Sequence, residues 1–343
     1  MKRLLNTLYV TTQGAYLSRD GETVAVNIEH EVKLRLPVHT LGGIVCFGRV
    51  SCSPPLMELC AENNVTISFF NEWGKFFARV EGPVSGNVLL RREQYRRADD
   101  EGACMEIARF VLMAKISNCR TVILRASREE SDDSKISSLQ TAAKKLSWIM
   151  RNIEKCANLE NLRGAEGNAA GVYFSVFDNL ILAQKDCFQF KERSRRPPLD
   201  NINALLSFLY TLLAHDVAAA LEGVGLDPAV GFLHRDRPGR PSLALDIMEE
   251  LRPYFADRLA LSLINRQQIK GKGFKKTESG AVMMDDATRK EVLVSYQKRK
   301  QDEIQHPFLD EKIQVGLIPH CQAMILARYI RGDIDAYPPF IWK

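Results

Sequence analysis

Residues 231–253 read GFLHRDRPGRPSLALDIMEELRP, and this stretch decides how the larger part of the chain is built. An apolar run, Val230 to Leu233, ends on His234. A loop of Arg, Asp, Pro and Gly follows, and Pro241–Ser242 is a favourable helix start. From there Leu243, Ala244, Ile247, Met248 and Leu251 recur with a 3.6-residue period and share one broad apolar face. Asp246, Glu249 and Glu250 fall on the other face, with Asp246 and Glu249 one turn apart. Taken alone, these acids read as a solvated face near a helix start, where the macrodipole favours carboxylates. His234 adds a second reading. Imidazole and carboxylates separated by one short loop and one helical turn suit Mg²⁺ or Mn²⁺, because carboxylates are hard oxygen donors. A lone histidine there also reads as a hydrogen-bonded, semi-buried residue, and both readings stand at this point.

Working outward, the helical period extends through most of the chain after about residue 85. It predicts helices over 102–126, 137–157, 164–184, 201–222, 242–266, 286–303 and 318–331, after a basic helix in SGNVLLRREQYRR (85–97). Two basic loops interrupt them, QKDCFQFKERSRRPPLDN (184–201) and KGKGFKKTESG (270–280). The first eighty or so residues read as strands. TLYV, AYLSRDGETVAVNI, EVKLRLP, GIVCFG, VTISFF and KFFARV are rich in β-branched and aromatic residues. Asp20–Gly21 is a hairpin signal, and Asn71, Trp73 and Gly74 mark a turn. SPPLMELCAENN is a short helix capped by Ser53. The character changes near Gly82–Pro83. The expected fold class is therefore α+β: a small β-sandwich-like N-terminal domain over 1–84 and a larger all-α domain over 85–343.

Composition sets the outer limits. The 343 residues carry a formal charge of +5, with 45% hydrophobic and 26% charged residues, an ordinary soluble balance. The eight cysteines form no C-x-x-C pair, so they read as reduced thiols rather than a zinc ribbon or disulfide framework. Polar residues break the apolar part of MKRLLNTLYVTT, so it is not read as a signal peptide. No apolar run approaches the length of a membrane span, and a cytoplasmic protein is expected.

A second carboxylate draws attention in NLRGAEGNAAGVYFSVF (161–177). Glu166 shares its side of the helix with Leu162, Ala170, Tyr173 and Phe177, so it points toward the core. A buried carboxylate needs a partner or a metal. Arg163, one turn away, is the plain salt-bridge partner, and metal ligation is the alternative. Gly164, Gly167 and Gly171 would allow close packing that brings Glu166 against the helix of Glu249. Basic stretches surround these acids: Arg235, Arg237 and Arg240; Arg193, Arg195 and Arg196; Lys270, Lys272, Lys275 and Lys276. Each alone reads as solvated surface; around a metal-type acid cluster they read as phosphate-binding walls.

These residues carry a resemblance. RGAEGNAAGVYF, DNINALLSFLYTLL, GLDPAVGFLH and GRPSLALDIMEELRP, in that order, resemble the integrase family known as CRISPR-associated protein one. The likeness covers nearly the whole chain, and the N-terminal detail and DIMEELRP look most like its subtype I-C branch. The resemblance implies a metal-dependent DNA integrase and endonuclease, joining the 3′-hydroxyl ends of captured DNA to a CRISPR repeat by transesterification. It implies Glu166, His234 and Glu249 as catalytic Mg²⁺ or Mn²⁺ ligands, with Asp246 beside the site in support. Arg240 is implied as a phosphate contact, with Arg235, Arg237, Arg195, Arg196, Lys272, Lys275 and Lys276 as further DNA-binding candidates. Implied partners are double-stranded and branched DNA, a homodimer mate through the β-rich domain, a small second acquisition protein bridging two dimers, and an end-trimming nuclease. A histidine ligand must be neutral, so activity is expected to fall in mild acid. A nuclease of branched DNA without integration, or a non-catalytic DNA scaffold, are the competing readings.

Overall fold

Strand alternation and turn chemistry organise the N-terminal segment of the computed structural model into two four-stranded sheets. The structure describes residues 6–342 except Trp73, Lys75, Glu81 and 83–87. The predicted turn at Trp73, the junction at Pro83, the first residues of the basic helix and the start of the N-terminal apolar stretch therefore lie outside the described residues. The first elements are β1 (Asn6–Val10), β2 (Tyr16–Asp20), β3 (Thr23–Ile28), β4 (Glu31–Pro37), β5 (Leu41–Phe47), β6 (Ser51–Cys52), α1 (Pro54–Glu62), β7 (Thr66–Phe70) and β8 (Phe76–Val80). One sheet runs β1-β5-β7-β8, parallel through β7 and antiparallel at β8. The other runs β4-β3-β2-β6.

The β2–β3 hairpin turns where Asp20–Gly21 predicts, with Gly21 at φ +60° in the left-handed region that glycine tolerates. The Ser53 hydroxyl accepts from Leu56 N at 3.3 Å and caps α1 as expected. Leu17 and Val24 of one sheet, Ile44 and Ile67 of the other, and Leu56 and Leu59 of α1 bury a common apolar core. The second face of the β1-β5-β7-β8 sheet is buried too. Phe47 and Phe70 join the helical core, and the Phe47 and Phe208 ring centroids lie 6.0 Å apart. Burial on both faces is the reason GIVCF is continuously apolar instead of alternating. β4 alternates but lies at a sheet edge with Val32 and Leu34 exposed.

The rest of the chain is helical: α2 (Val88–Asp99), α3 (Glu101–Glu129), α4 (Asp133–Asn152), α5 (Leu159–Ser175), α6 (Asn201–Gly223), α7 (Ser242–Arg252) and α8 (Arg258–Asn265). The hairpin of β9 (Phe274–Lys276) and β10 (Val282–Met284) then precedes α9 (Asp286–Gln301), the hairpin of β11 (Glu303–Gln305) and β12 (Lys312–Gln314), and α10 (Ile318–Arg331). The chain is thus a mixed α+β protein with a β-rich N-terminal domain and a helical C-terminal region. α3 packs against α4, α5 and α7, and α6 packs against α7 from another side.

Four expectations change. The 242–266 helix is broken: Pro253 lacks the N–H for an i→i−4 bond, and Pro253–Asp257 form a π-helical turn between α7 and α8. The 164–184 helix starts earlier, at the Asn158 cap, and ends at Ser175. The 270–280 loop contains the β9–β10 hairpin, closed by Thr277 N to Ala281 O at 2.8 Å. α6, finally, has the length and apolar character of a membrane span over an 18-residue window. Two thirds of that window is buried inside this protein, and core burial accounts for its apolar character.

Candidate active site

α7 is enclosed between α3 and α6, and every residue from Ser242 to Arg252 except Leu245 is buried. Its three acids therefore do not form a solvated face. Each buried carboxylate must be satisfied, and each is satisfied differently.

Asp246 is an anchor. Its Oδ2 accepts from Phe232 N at 2.6 Å and Leu233 N at 2.9 Å, and its Oδ1 accepts from His234 N at 3.0 Å. The His234 ring presents Nδ1 to the same Oδ1 at 2.6 Å. A carboxylate that only accepts requires the imidazole to donate from Nδ1, so in the neutral ring the lone pair falls on Nε2, the tautomer a metal needs. Backbone and side chain of GFLH are thus fixed by one residue of α7. Gly231 is required for this approach: a Cβ there would lie 2.8 Å from Asp246 Oδ2.

Glu249 faces two cations. Its Oε1 accepts from the Arg252 guanidinium at 3.0 Å, and its Oε2 lies 2.7 Å from the Lys115 ammonium of α3. That Oε2 is shielded from solvent and accepts no well-directed hydrogen bond. Burial pushes the Glu249 carboxyl upward, but Arg252 and then Lys115 outweigh it and hold the group down at about 2. Arg252 is itself placed by Tyr210, over whose ring it lies at 4.7 Å. The Tyr210 hydroxyl donates to buried Asp257 at 2.5 Å.

Glu166 comes in from α5, its side chain about a quarter exposed, and pairs with the same Lys115 ammonium. The expected partner, Arg163, points elsewhere: its Nε donates to Leu233 O at 2.7 Å, latching α5 to the segment that carries His234. The glycines Gly164, Gly167 and Gly171 also do not serve close packing, since a Cβ at each would meet open space. Lys115 is what draws α3, α5 and α7 together. The sequence signal for it was a single lysine inside VLMAKISNC, where a charge in an apolar run demands a buried partner.

Glu250 departs furthest from the expectation of a solvated acid. It is fully buried and accepts from Phe340 N and Tyr337 Oη at 2.8 Å and from Gln322 Nε2 at 3.0 Å. Burial outweighs these bonds and pushes its carboxyl up to about 8. Its role is to tie the C-terminal segment to α7.

The basic candidates divide. Burial and the neighbouring Arg237 depress the Arg240 guanidinium, which also feels Asp246, Arg196 and Arg163. Arg237 and Arg240 sit on one tight turn, where Arg240 N donates to Arg237 O at 3.0 Å. Exposed Lys275 and Lys276 ride on the β9–β10 hairpin, which Val282 N joins to Pro198 O at 2.9 Å, beside exposed Arg195 and Arg196. Lys272 lies in the helical turn just before that hairpin. Arg235 is exposed but pairs with Glu160 at 2.8 Å. Arg193 is no phosphate wall: it donates into the fold, to Asn203 Oδ1 at 2.6 Å and Ser207 Oγ at 3.2 Å.

Among the described residues no three His, Cys, Asp or Glu side chains are gathered as a ready-made cage for an ion. The two carboxylates converge instead on the Lys115 ammonium. A buried carboxylate oxygen without a hydrogen bond, a second carboxylate and an imidazole with Nε2 free form a donor set that fits a hard divalent cation.

Such a fold and site define a β-rich and helical protein with an acid–imidazole centre under a basic rim. The family model described as CRISPR associated protein Cas1 matches residues 8–298. The chain belongs to the Cas1 family of CRISPR-associated endonucleases. It is 54% identical to CRISPR-associated endonuclease Cas1 1 of Chlorobaculum tepidum over all of both chains. It is 35% identical to a CRISPR-associated exonuclease Cas4/endonuclease Cas1 fusion of Geobacter sulfurreducens, over 98% of this chain and 60% of the fusion. Among solved structures, the Cas1 protein TM1797 of Thermotoga maritima has 25% identity and a TM-score of 0.83, covering 98% of this chain and 100% of that one. Two others share the fold at 21% identity: a casposase bound to integration product (TM-score 0.84, 99% of this chain and 95% of that one) and a Cas6-RT-Cas1–Cas2 complex (0.82, 100% and 36%).

Proposed function

We propose that this protein is a metal-dependent DNA integrase and endonuclease of CRISPR adaptation. The observation that carries the proposal is the convergence of Glu166 and Glu249 on one cation position beside an imidazole fixed by Asp246. In the reaction, the 3′-hydroxyl of a captured DNA end attacks a phosphodiester at the edge of the CRISPR repeat. One phosphate ester forms as another breaks, so no covalent enzyme intermediate and no energy source is needed. Mg²⁺ or Mn²⁺ held by Glu166, Glu249 and His234 would supply Lewis-acid stabilisation of charge on the phosphate and acidify the attacking hydroxyl. The chain's own residues prepare the site: Asp246 holds the His234 tautomer, and Arg252 and Lys115 keep Glu249 ionised. Arg196, Arg237 and Arg240 offset the repulsion between the acids and the DNA phosphates. Lys272, Lys275, Lys276, Arg195 and Arg235 extend that basic surface.

The casposase likeness supports the integrase reading, and the Cas1–Cas2 assembly supports a small second acquisition protein as partner. The Cas4/Cas1 fusion supports an end-trimming exonuclease as a further one; the subtype I-C assignment rests on the sequence resemblance alone. Exposed Val32 and Leu34 on edge strand β4 support a homodimer contact through the β-rich domain. All eight cysteines are free, which supports a reducing, cytoplasmic setting.

The test is integration of a labelled donor into a repeat-bearing plasmid, with and without the second acquisition protein. Glu166→Ala, His234→Ala and Glu249→Ala should each abolish joined product while DNA binding persists. Wild-type joining by any of them overturns the site. A 3′-deoxy donor should block joining, and undiminished cleavage with that donor and no joining with the normal one would favour a nuclease without integration.

A further inference from the structure

Away from the acid centre, α3 and α4 form a second basic feature. They are joined by a short turn at 130–132 and pack as an antiparallel hairpin. Between residues 107 and 128, α3 carries five Lys or Arg and no acid; from 134 to 152, α4 carries four and no acid. These residues are spread at helical spacing, so they never read as a charge run along the chain. Where the helices meet they open a groove of about 510 Å³, whose cationic walls are Arg120 and Arg128 from α3 and Lys144 and Arg151 from α4. No carboxylate lines it.

Among the described residues Arg120, Arg128, Lys144 and Arg151 make no ion pair, although other arginines of α2 to α5 find acids. Arg120 Nε is shielded from solvent with no hydrogen-bond partner. Four cations held together without counter-charges repel one another, and a polyanion is the occupant that relieves this. A second observation narrows its kind. Trp148 of α4 is 61% exposed, the only exposed tryptophan among the described residues. It does not line the groove itself but lies at its edge on α4, one turn from both Lys144 and Arg151. A basic track with an exposed aromatic platform is the arrangement that binds single-stranded nucleic acid, phosphates in the track and a base stacked on the ring.

We infer that the α3–α4 groove is a binding site for a single strand of DNA, separate from the acid centre, with Trp148 as its stacking platform. From Arg120 to Arg128 the groove runs about 12 Å along α3, room for several successive phosphates. Along the same helix the groove begins at Arg120, about 8 Å from Lys115, and ends at Arg128, about 20 Å from it. A strand in it therefore leads away from the reacting end, as a tether for displaced or flanking DNA.

The test uses the full-length protein in chelator, so that no metal contributes at the acid centre. A dye-labelled oligothymidylate is titrated while tryptophan emission and dye anisotropy are followed. Wild type should show quenching on binding. Trp148→Phe should lose most of that quenching and bind severalfold more weakly. Arg128→Glu with Lys144→Glu should bind at least tenfold more weakly, with a salt slope shallower by about 1.4, since each lost phosphate contact on a single strand removes about 0.7. Blunt duplex should compete poorly. The inference is overturned if the charge-reversed variant, folded by circular dichroism, binds like wild type, if Trp148→Phe retains the quenching, or if duplex competes as well as single strand. Lys312→Glu, an exposed charge reversal on β12 outside both sites, serves as control: its quenching stays intact whether or not the catalytic reading survives.

Discussion

Replacing Lys115 by Met tests the acid centre through stability as well as activity. The lysine side chain is 3% exposed and holds Glu249 Oε2 at 2.7 Å while also pairing with Glu166. Removing one partner of a buried ion pair costs about 3–5 kcal/mol, because the charge left behind stays desolvated. Arg252 remains on Glu249 Oε1 at 3.0 Å, so the lower end, about 3 kcal/mol, applies. For a chain of this size each kcal/mol moves Tm by about 2 °C, giving a fall of about 6 °C in chelator. The same loss leaves two carboxylates facing one another with no cation between them. Mn²⁺ should then bind the variant more tightly than wild type. At a hundredfold excess over its Kd it returns about 2.7 kcal/mol, nearly the whole deficit. Differential scanning fluorimetry of both proteins, in chelator and across a Mn²⁺ titration, reads this directly. An unchanged Tm in chelator would refute the buried-pair argument. A Mn²⁺ shift no larger in Lys115→Met than in wild type would refute the claim that the ammonium marks the cation position.

Other outcomes follow from the same geometry. Asp246→Asn turns an amide group toward donors and releases the His234 tautomer; strand transfer should fall by about 10–100-fold, with Mn²⁺ affinity falling in step by calorimetry. His215, bonded to Ser68 Oγ at 2.7 Å between α6 and β7, is held down to about 4 by burial, so it folds neutral. Its contribution is whole above the ordinary histidine range and is lost as pH falls toward 4, about 3 kcal/mol in all; urea midpoints should drop over that window, and less so in His215→Gln. Glu250 has the opposite sign. With its carboxyl at about 8, the folded state holds a proton that the unfolded state has released, so stability declines as pH rises from about 4.5 to about 8. Glu250→Gln should flatten that alkaline decline, and a variant with the wild-type slope would show that the group folds ionised.

The sequence was most informative where local chemistry repeats. The Asp20–Gly21 hairpin and the Ser53 cap lie where the sequence puts them, because turns and caps depend on a few neighbouring residues. The helical period located most of α3 to α10, and misread only the ends and the break at Pro253. It could not reveal the β9–β10 pairing, since three-residue strands carry too short an alternation to register.

For the acid centre, the sequence by itself supplied the residue types: Glu166, His234, Asp246 and Glu249, with arginines between. It also made His234 and Asp246 neighbours, because one short loop and one helical turn cannot separate them far. Only the tertiary structure decided which charge answers which. Lys115 lies 51 residues before Glu166 in the chain, and Glu250 meets Tyr337 and Phe340 from near the other end. A helical wheel places α7's acids on a polar face; whether that face meets water or α3 depends on elements far away in the chain. The burial of that face turned Asp246 into an anchor and Glu250 into a strut, and left Glu249 to face Glu166 across a single cation.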